Sequence, residues 1–133
     1  MLTIGKIAKE AEVTVDTIRH YIDIGLLSPQ RDRNNGYQLF DPKDVYRIQF
    51  IKRAQDLGFT LKELKQICAD ANKGDSPCPQ IRKIIEAHIE ENRRKIKTMQ
   101  ELQRRMEEAL KGWKNLPNGV PNGHSICHLI DNL

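Results

Sequence analysis

The chain has 133 residues, room for one compact domain and one long element, with 22 Lys and Arg against 18 Asp and Glu and a net charge of +4. No stretch approaches the roughly 18 apolar residues of a membrane span, and the opening residues lack the apolar core of a secretory signal, so a cytoplasmic location is expected. Three cysteines argue against a disulfide framework, while 5% aromatic and 30% charged residues favour helices over an extensive sheet.

Thr3 is placed to cap a helix from Ile4 to Ala11, with Ile4, Ile7, Ala8 and Ala11 on one face. Glu12-Val13 makes a turn. Thr14 is a second N-cap for a helix from Val15 to Ile24, with Val15, Ile18 and Ile22 as its apolar stripe and Gly25 as its stop. Two short helices with a tight connection have the size of a helix-turn-helix. The polar loop Ser28–Gly36 carries the hairpin signal Asn35-Gly36, and Tyr37–Phe40 reads as a strand, so the pair forms a wing.

Asp41 as N-cap and Pro42 at the first helical position open the next helix, with Val45, Ile48, Ile51 and Ala54 at helical spacing and an end near Gly58. Thr60 and Glu63 form a capping box for a helix to Ala71, and Asn72–Asp75 breaks it. Ser76-Pro77 starts a helix that continues to Lys111, roughly 45 Å of it free of Gly and Pro. Along it Ile85, Ile89, Asn92, Ile96, Met99, Gln103, Met106 and Leu110 recur in alternating steps of three and four, a heptad seam. So long a helix cannot be covered by the small remaining domain, and its seam calls for a second copy in a coiled-coil dimer. Gly112–Gly123 reads as a loop, and Ser125 caps a short helix through Ile130.

The expected fold class is therefore mainly α: a winged helix-turn-helix DNA-binding domain with its connecting helices over residues 1–71, a dimerisation helix over 76–111, and a C-terminal loop and short helix over 112–133. A helix-turn-helix presents the start of its second helix to the major groove, which here offers Thr14, Val15, Thr17, Arg19 and His20. Hydroxyls and guanidinium donate to phosphates or base edges, and Val15 suits a thymine methyl. Arg31 and Tyr37 lie at the wing, and Arg47 and Arg53 on the following helix can grip the backbone. No His, Asp or Glu cluster has catalytic spacing and no glycine loop cradles phosphate, so an enzyme is not expected. A purely structural coiled-coil adaptor is distinguished by lacking salt-sensitive DNA binding.

The segments Ile4-Gly5-Lys6-Ile7-Ala8, Thr17-Ile18-Arg19-His20-Tyr21, Gly25-Leu26-Leu27, Gly36-Tyr37-Gln38-Leu39-Phe40, Phe50-Ile51-Lys52-Arg53-Ala54 and Leu57-Gly58-Phe59-Thr60-Leu61 carry a resemblance. In order and spacing they resemble the MerR family of transcription regulators across the first seventy residues or so, and the long helix matches beyond them. The resemblance implies winged helix-turn-helix homodimers joined by an antiparallel coiled coil. It implies binding to an inverted repeat in double-stranded promoter DNA whose spacer is too long for RNA polymerase, with the effector making the dimer kink and undertwist it. Arg19 and Tyr37 are the implied DNA contacts. The chain departs from the family at His20, Ile22 and Gln38.

Cys78 follows Ser76-Pro77 at the positive end of a helix dipole, a favourable place for a thiol that binds metal, and His124 and His128 flank Cys127. The metal-responsive branch of the family carries a cysteine at the start of the dimer helix and one or two in a C-terminal loop, and Cys78 and Cys127 match the first and last of these. In an antiparallel dimer, Cys78 of one chain approaches the C-terminal loop of the other. Trp113 stands where mercury- and zinc-responsive relatives have a cysteine. Two thiolates alone favour Cu(I) or Hg(II), and an added imidazole from His124 or His128 moves preference toward Zn(II) or Cd(II); Pb(II) is a further thiophilic candidate. The alternative effector is an oxidant, an electrophile or an organic ligand, sensed through Cys78, Cys127 and Trp113. Cys68 reads as core, and His88 as packed near the seam.

Overall fold

The computed structural model describes all 133 residues. In chain order the elements are β1 (Leu2–Thr3), α1 (Ile4–Ala11), α2 (Val15–Asp23), β2 (Gln30–Arg31), β3 (Gln38–Phe40), α3 (Asp44–Asp56), α4 (Leu61–Asn72), α5 (Cys78–Trp113) and α6 (His128–Asp131). The three strands form one antiparallel sheet in the order β1-β3-β2. Leu2 pairs with Phe40 and Thr3 with Leu39, while Gln30 pairs with Leu39 and Arg31 with Gln38. The chain is mainly helical, a winged helix-turn-helix followed by a long helix.

Thr3 is in the N-cap position of α1 but its side chain makes no capping bond. Its extended backbone is used in β1, a strand of two residues that exists only because β3 returns beside it, so no local signal announces it. Thr14 caps α2 as expected, its hydroxyl accepting from the Thr17 amide at 3.1 Å. Between the two helices Glu12 adopts the left-handed conformation (φ 59°), and the Val13 amide returns to the Ala8 carbonyl at 3.0 Å. The stripe on α2 is wider than its β-branched residues suggest, because Tyr21 is buried with Ile18. The Tyr21 phenol donates to Gln55 of α3. Desolvation, helped by the nearby Asp56 carboxylate, pushes this phenol up, which keeps it a donor.

In the hairpin the Gly36 amide donates to the Asp32 carbonyl at 2.9 Å, and Gly36 has φ +72°, a conformation that costs glycine nothing. Helix α3 begins at Asp44 rather than at Pro42. The expected cap chemistry is nevertheless present in the preceding turn: the Asp41 carboxylate accepts from the Lys43 amide at 2.8 Å and the Asp44 carboxylate from the Asp41 amide at 3.2 Å. Gly58 (φ +101°) ends this stretch, and the Phe59 amide reaches back to Ala54 at 3.0 Å. The Thr60–Glu63 capping box forms with both of its bonds.

The chain comprises two compact units, Met1–His88 and Ile89–Leu133. The first unit has one apolar core in which Ile7, Ile18, Tyr21, Phe40, Ile48, Ile51, Leu64 and Ile67 are fully buried. Ile81, Ile84 and Ile85, from the first turns of α5, pack against it. The second unit contains the rest of α5, the loop and α6. Helix α5 runs past Gly112 to Trp113, 36 residues in all, since one exposed glycine costs a helix only about 1 kcal/mol. Ser125 does not cap the final helix. Cys127 takes the N-cap position without a side-chain bond, while the Ser125 hydroxyl bonds Asp131 and the Asn122 side chain accepts from the His124 and Ser125 amides. No helix is long and apolar enough to cross a membrane.

Truncating Ile48, which is 0% exposed at the centre of this core, to Ala is expected to cost about 2–5 kcal/mol of unfolding free energy. Urea denaturation of the full chain followed by circular dichroism checks it, and a loss below 1 kcal/mol or so would mean that the site collapses freely.

Candidate nucleic-acid interface

The start of α2 presents an exposed polar edge. The Thr14 and Thr17 hydroxyls lie 2.8 Å apart, so one of them donates to the other and the pair retains a further hydroxyl proton for an outside acceptor. Arg19 pairs with Asp16 at 3.5 Å, both highly exposed. Such a pair is worth little in water, so the guanidinium is available to a phosphate or a guanine edge. His20 is exposed beside it, whereas Val15 is half-buried against the core and offers only part of its methyl surface.

At the wing, the Arg31 Nη1 donates to the Gly36 carbonyl at 3.4 Å and the Tyr37 amide to the Asn35 side chain at 3.0 Å. Arg31 and Tyr37 line a concavity of about 530 Å³ together with Thr3, Ile4 and Gln38. Strand β1 thus floors part of the wing, which the sequence did not indicate. On α3 the two arginines differ. Arg47 is half-buried and donates to Asn72 at 2.6 Å, tying α3 to α4. Arg53 is exposed at the margin of an apolar concavity of about 360 Å³ that includes Tyr46, Phe50, Leu57 and Ile81. The nine residues therefore fall into three groups, on α2, on the wing and on α3.

The sulfur and imidazole groups are also distributed. Cys78 is exposed as the first residue of α5, its amide donating to the Ser76 hydroxyl at 3.4 Å. Cys127 is half-buried at the start of α6. His124 is exposed. His128 is half-buried, with Nε2 2.9 Å from the Pro117 carbonyl and its ring so close to Gly119 that a Cβ there would meet it at 2.5 Å. Within the single chain no three His, Cys, Asp or Glu side chains come together to hold a metal ion. Cys68 is buried in the core, as expected, and desolvation pushes its thiol up.

One polar contact has no counterpart in the sequence reading. His88 Nε2 lies 2.9 and 3.0 Å from the two carboxylate oxygens of Glu63, 25 residues away. The same Glu63 accepts from the Thr60 amide at 2.8 Å. Desolvation works to raise this carboxyl, but the Thr60 amide, His88 and the Thr60 hydroxyl together hold it below the ordinary range. The capping box marks Glu63 in the sequence; nothing marks its second partner.

A helix-turn-helix with a two-stranded wing and exposed hydroxyl and guanidinium donors at the start of its second helix defines a DNA-binding domain. The family profile described as "MerR HTH family regulatory protein" matches residues 2–71, and one described as "MerR, DNA binding" matches residues 45–109. The HTH-type transcriptional regulator HmrR of Rhizobium leguminosarum bv. viciae is 34% identical over 106 residues, 80% of this chain and 81% of that protein. The mercuric resistance operon regulatory protein of Bacillus cereus is 31% identical over 132 residues, 98% of this chain and 95% of that one. In fold the chain is similar to the transcription regulator PbrR691 from Ralstonia metallidurans CH34, crystallised in complex with lead(II), with a TM-score of 0.78, 24% identity and full coverage of both chains. The chain belongs to the MerR family of DNA-binding transcriptional regulators.

Arg19→Ala is expected to weaken operator binding by about 1–3 kcal/mol if the guanidinium reads a base, or to lower the salt slope by about one unit if it meets a phosphate. Fluorescence anisotropy across a salt series checks both; unchanged affinity and slope would remove Arg19 from the interface. For Glu63 the sign follows from its depressed carboxyl: its stabilising contribution is present above the ordinary value of 4.5 and is lost as pH falls through the lower folded value. The acid limb of the stability profile should therefore flatten in Glu63→Gln, measured by denaturation between pH 6 and 3 or so.

Proposed function

We propose that this regulator acts as a homodimer on an inverted repeat in promoter DNA and changes that DNA's shape for RNA polymerase when a thiophilic metal ion binds between its subunits. The observation that carries the reading is an apolar seam left open on α5. Met99, Met106 and Leu110 are 65%, 58% and 68% exposed on one helix, with Ile89 and Ile96 also bare. Their three- and four-residue spacing suits knobs-into-holes packing on a second copy, antiparallel as in the family. Burying five such side chains in the partner's seam contributes on the order of 1.5–3 kcal/mol each before association entropy is counted.

The donor set supports the effector. A single chain does not gather three ligands, but Cys78 and Cys127 are free thiols, and His128 and His124 add imidazoles beside the second. Two sulfurs from two subunits, with or without a nitrogen, fit a thiophilic ion of the Hg(II), Pb(II), Cd(II), Zn(II) or Cu(I) kind. The name of the mercuric resistance relative agrees with this chemistry. Metal–thiolate bonding supplies a free energy that differs between two states of the dimer. The protein's own residues do the rest: α2 and the wing hold two half-sites, and α5 fixes their separation. Bending and untwisting a promoter costs about 1–6 kcal/mol, so the two states must differ in metal affinity by a similar amount.

A second reading rests on a concavity of about 570 Å³ lined by Leu102, Met106, Ala109, Trp113, Ile130 and Leu133. Its walls, mainly apolar with one indole but also including Arg105 and Glu108, suit an organic effector rather than an ion. The exposed Cys78 thiol likewise suits an oxidant or an electrophile.

Metal titration with thiol quantification separates these readings. Stoichiometric, chelator-reversible binding of Hg(II) or Zn(II) by the dimer is expected, and Cys78→Ser should abolish metal-dependent transcription in a reporter while leaving operator binding intact. A full metal response in Cys78→Ser would overturn the shared site. A sedimentation profile showing only monomer at micromolar concentration would overturn the dimer.

A further inference from the structure

We infer that the Glu63–His88 pair is the positioning clasp that fixes the long helix to its DNA-binding domain, and so sets how far apart two recognition helices can sit on DNA. Helix α5 is anchored to the domain core by Ile81, Ile84 and Ile85 and, at its last residue in the first unit, by His88. From Ile89 onward its side chains are exposed up to Glu108. The three isoleucines give attraction without direction, since apolar burial does not specify an orientation. His88 adds direction, because its Nε2 is held by both carboxylate oxygens of Glu63 at 2.9 and 3.0 Å.

That carboxylate is not free to follow the histidine. Its Oε1 is already fixed by the Thr60 amide at 2.8 Å, in the capping box that starts α4. The Phe59 ring meets the imidazole edge-on at 6.3 Å between centroids and 68° between planes. Phe59 is itself buried in the core and bonded through its amide to Ala54 at the end of α3. The imidazole is thus held by a carboxylate and a ring that are each pinned at a helix boundary, α3 to α4. Helix α5 is registered to the two helices that pack behind the helix-turn-helix. Neither Glu63 nor His88 belongs to the groups offered to DNA or to metal.

The inference rests on the reading that two copies hold two half-sites. One base pair of added spacing moves a half-site by about 3.4 Å and turns it by about 35°. A dimer whose helices are clamped to their domains penalises that change, and one with a loose joint tolerates it.

The test uses the 133-residue chain without metal and a duplex recovered from a randomised library by selection with the wild-type protein. Versions with one base pair added or removed between half-sites complete the set. The wild type is expected to prefer the selected spacing by about tenfold or more, as expected when a deformation of a few kcal/mol is imposed. His88→Ala should reduce that preference to about threefold or less while keeping its affinity for nonspecific DNA at low salt, and His88→Gln, whose amide can donate to Glu63, should restore it. Should His88→Ala lose helicity, His88→Leu keeps the packing on Phe59 without the bond and must show the same relaxed spacing. Wild-type discrimination in both His88→Ala and His88→Leu would overturn the clasp. Equal binding of all spacings by the wild type, or monomeric binding, would instead overturn the two-half-site reading on which the clasp depends.

Discussion

Burial of apolar side chains against α3 is the interaction on which the amino-terminal unit depends. Ile48 and Ile51 lie fully buried there, with Ile7, Ile18, Phe40 and Leu64 supplied by four other elements. None of those elements is long enough to be stable alone: α1 and α2 have eight and nine residues, and the strands two or three. Packing on a shared helix makes each the condition of the others. The same packing orients α2, because Ile18 and Tyr21 enter the core on one side of the helix and leave Arg19 and His20 facing water. The exposed polar edge of α2 is what remains of a short helix once its apolar side is committed.

The bond from Tyr21 to Gln55 refines this arrangement. A buried phenol must find a partner, and it finds one on α3, the helix that α1 also packs against. Arg47 to Asn72 does the same between α3 and α4, and Glu63 to His88 between α4 and α5. From α2 to α5 each helix is therefore linked to the next by a polar contact laid over apolar packing. The apolar contacts supply most of the free energy; the polar ones restrict the angles. Such angular restriction holds the helices of the DNA-binding unit in fixed register.

Beyond His88 the logic reverses. Helix α5 has no buried residue, and its exposed methionines, isoleucines and leucines form a surface that its own chain leaves uncovered. The thiols follow the same pattern, Cys78 and Cys127 falling in different units of the chain. Both the seam and the donor set are incomplete in one copy, which is why the regulatory reading requires two.

Much of this was legible in order. Thr14, the Thr60–Glu63 box, Gly25, Gly58 and the Asn35-Gly36 turn are local signals acting over four residues or fewer, and they fixed the boundaries of α2, α4 and the wing. The helical spacing of Ile48 and Ile51 marked the core face of α3, and the length of α5 marked a helix that its own domain leaves uncovered. The sequence did not disclose β1, because a two-residue strand has no periodicity of its own and forms only when β3 lies beside it. It overlooked Tyr21 as a core residue, since its ring is buried only where Gln55 can take its hydroxyl. It assigned Ser125 as a cap, whereas its hydroxyl donates to Asp131 and its amide to the Asn122 side chain, which leaves Cys127 at the helix start. By itself, then, the order of residues determined most of the helices and the wing, because those depend on short-range spacing, and it carried the resemblance to the family. Only the tertiary structure decided that Arg47 is spent on Asn72 and that Glu63 meets His88. Those are contacts between groups that the chain brings together solely by packing its helices.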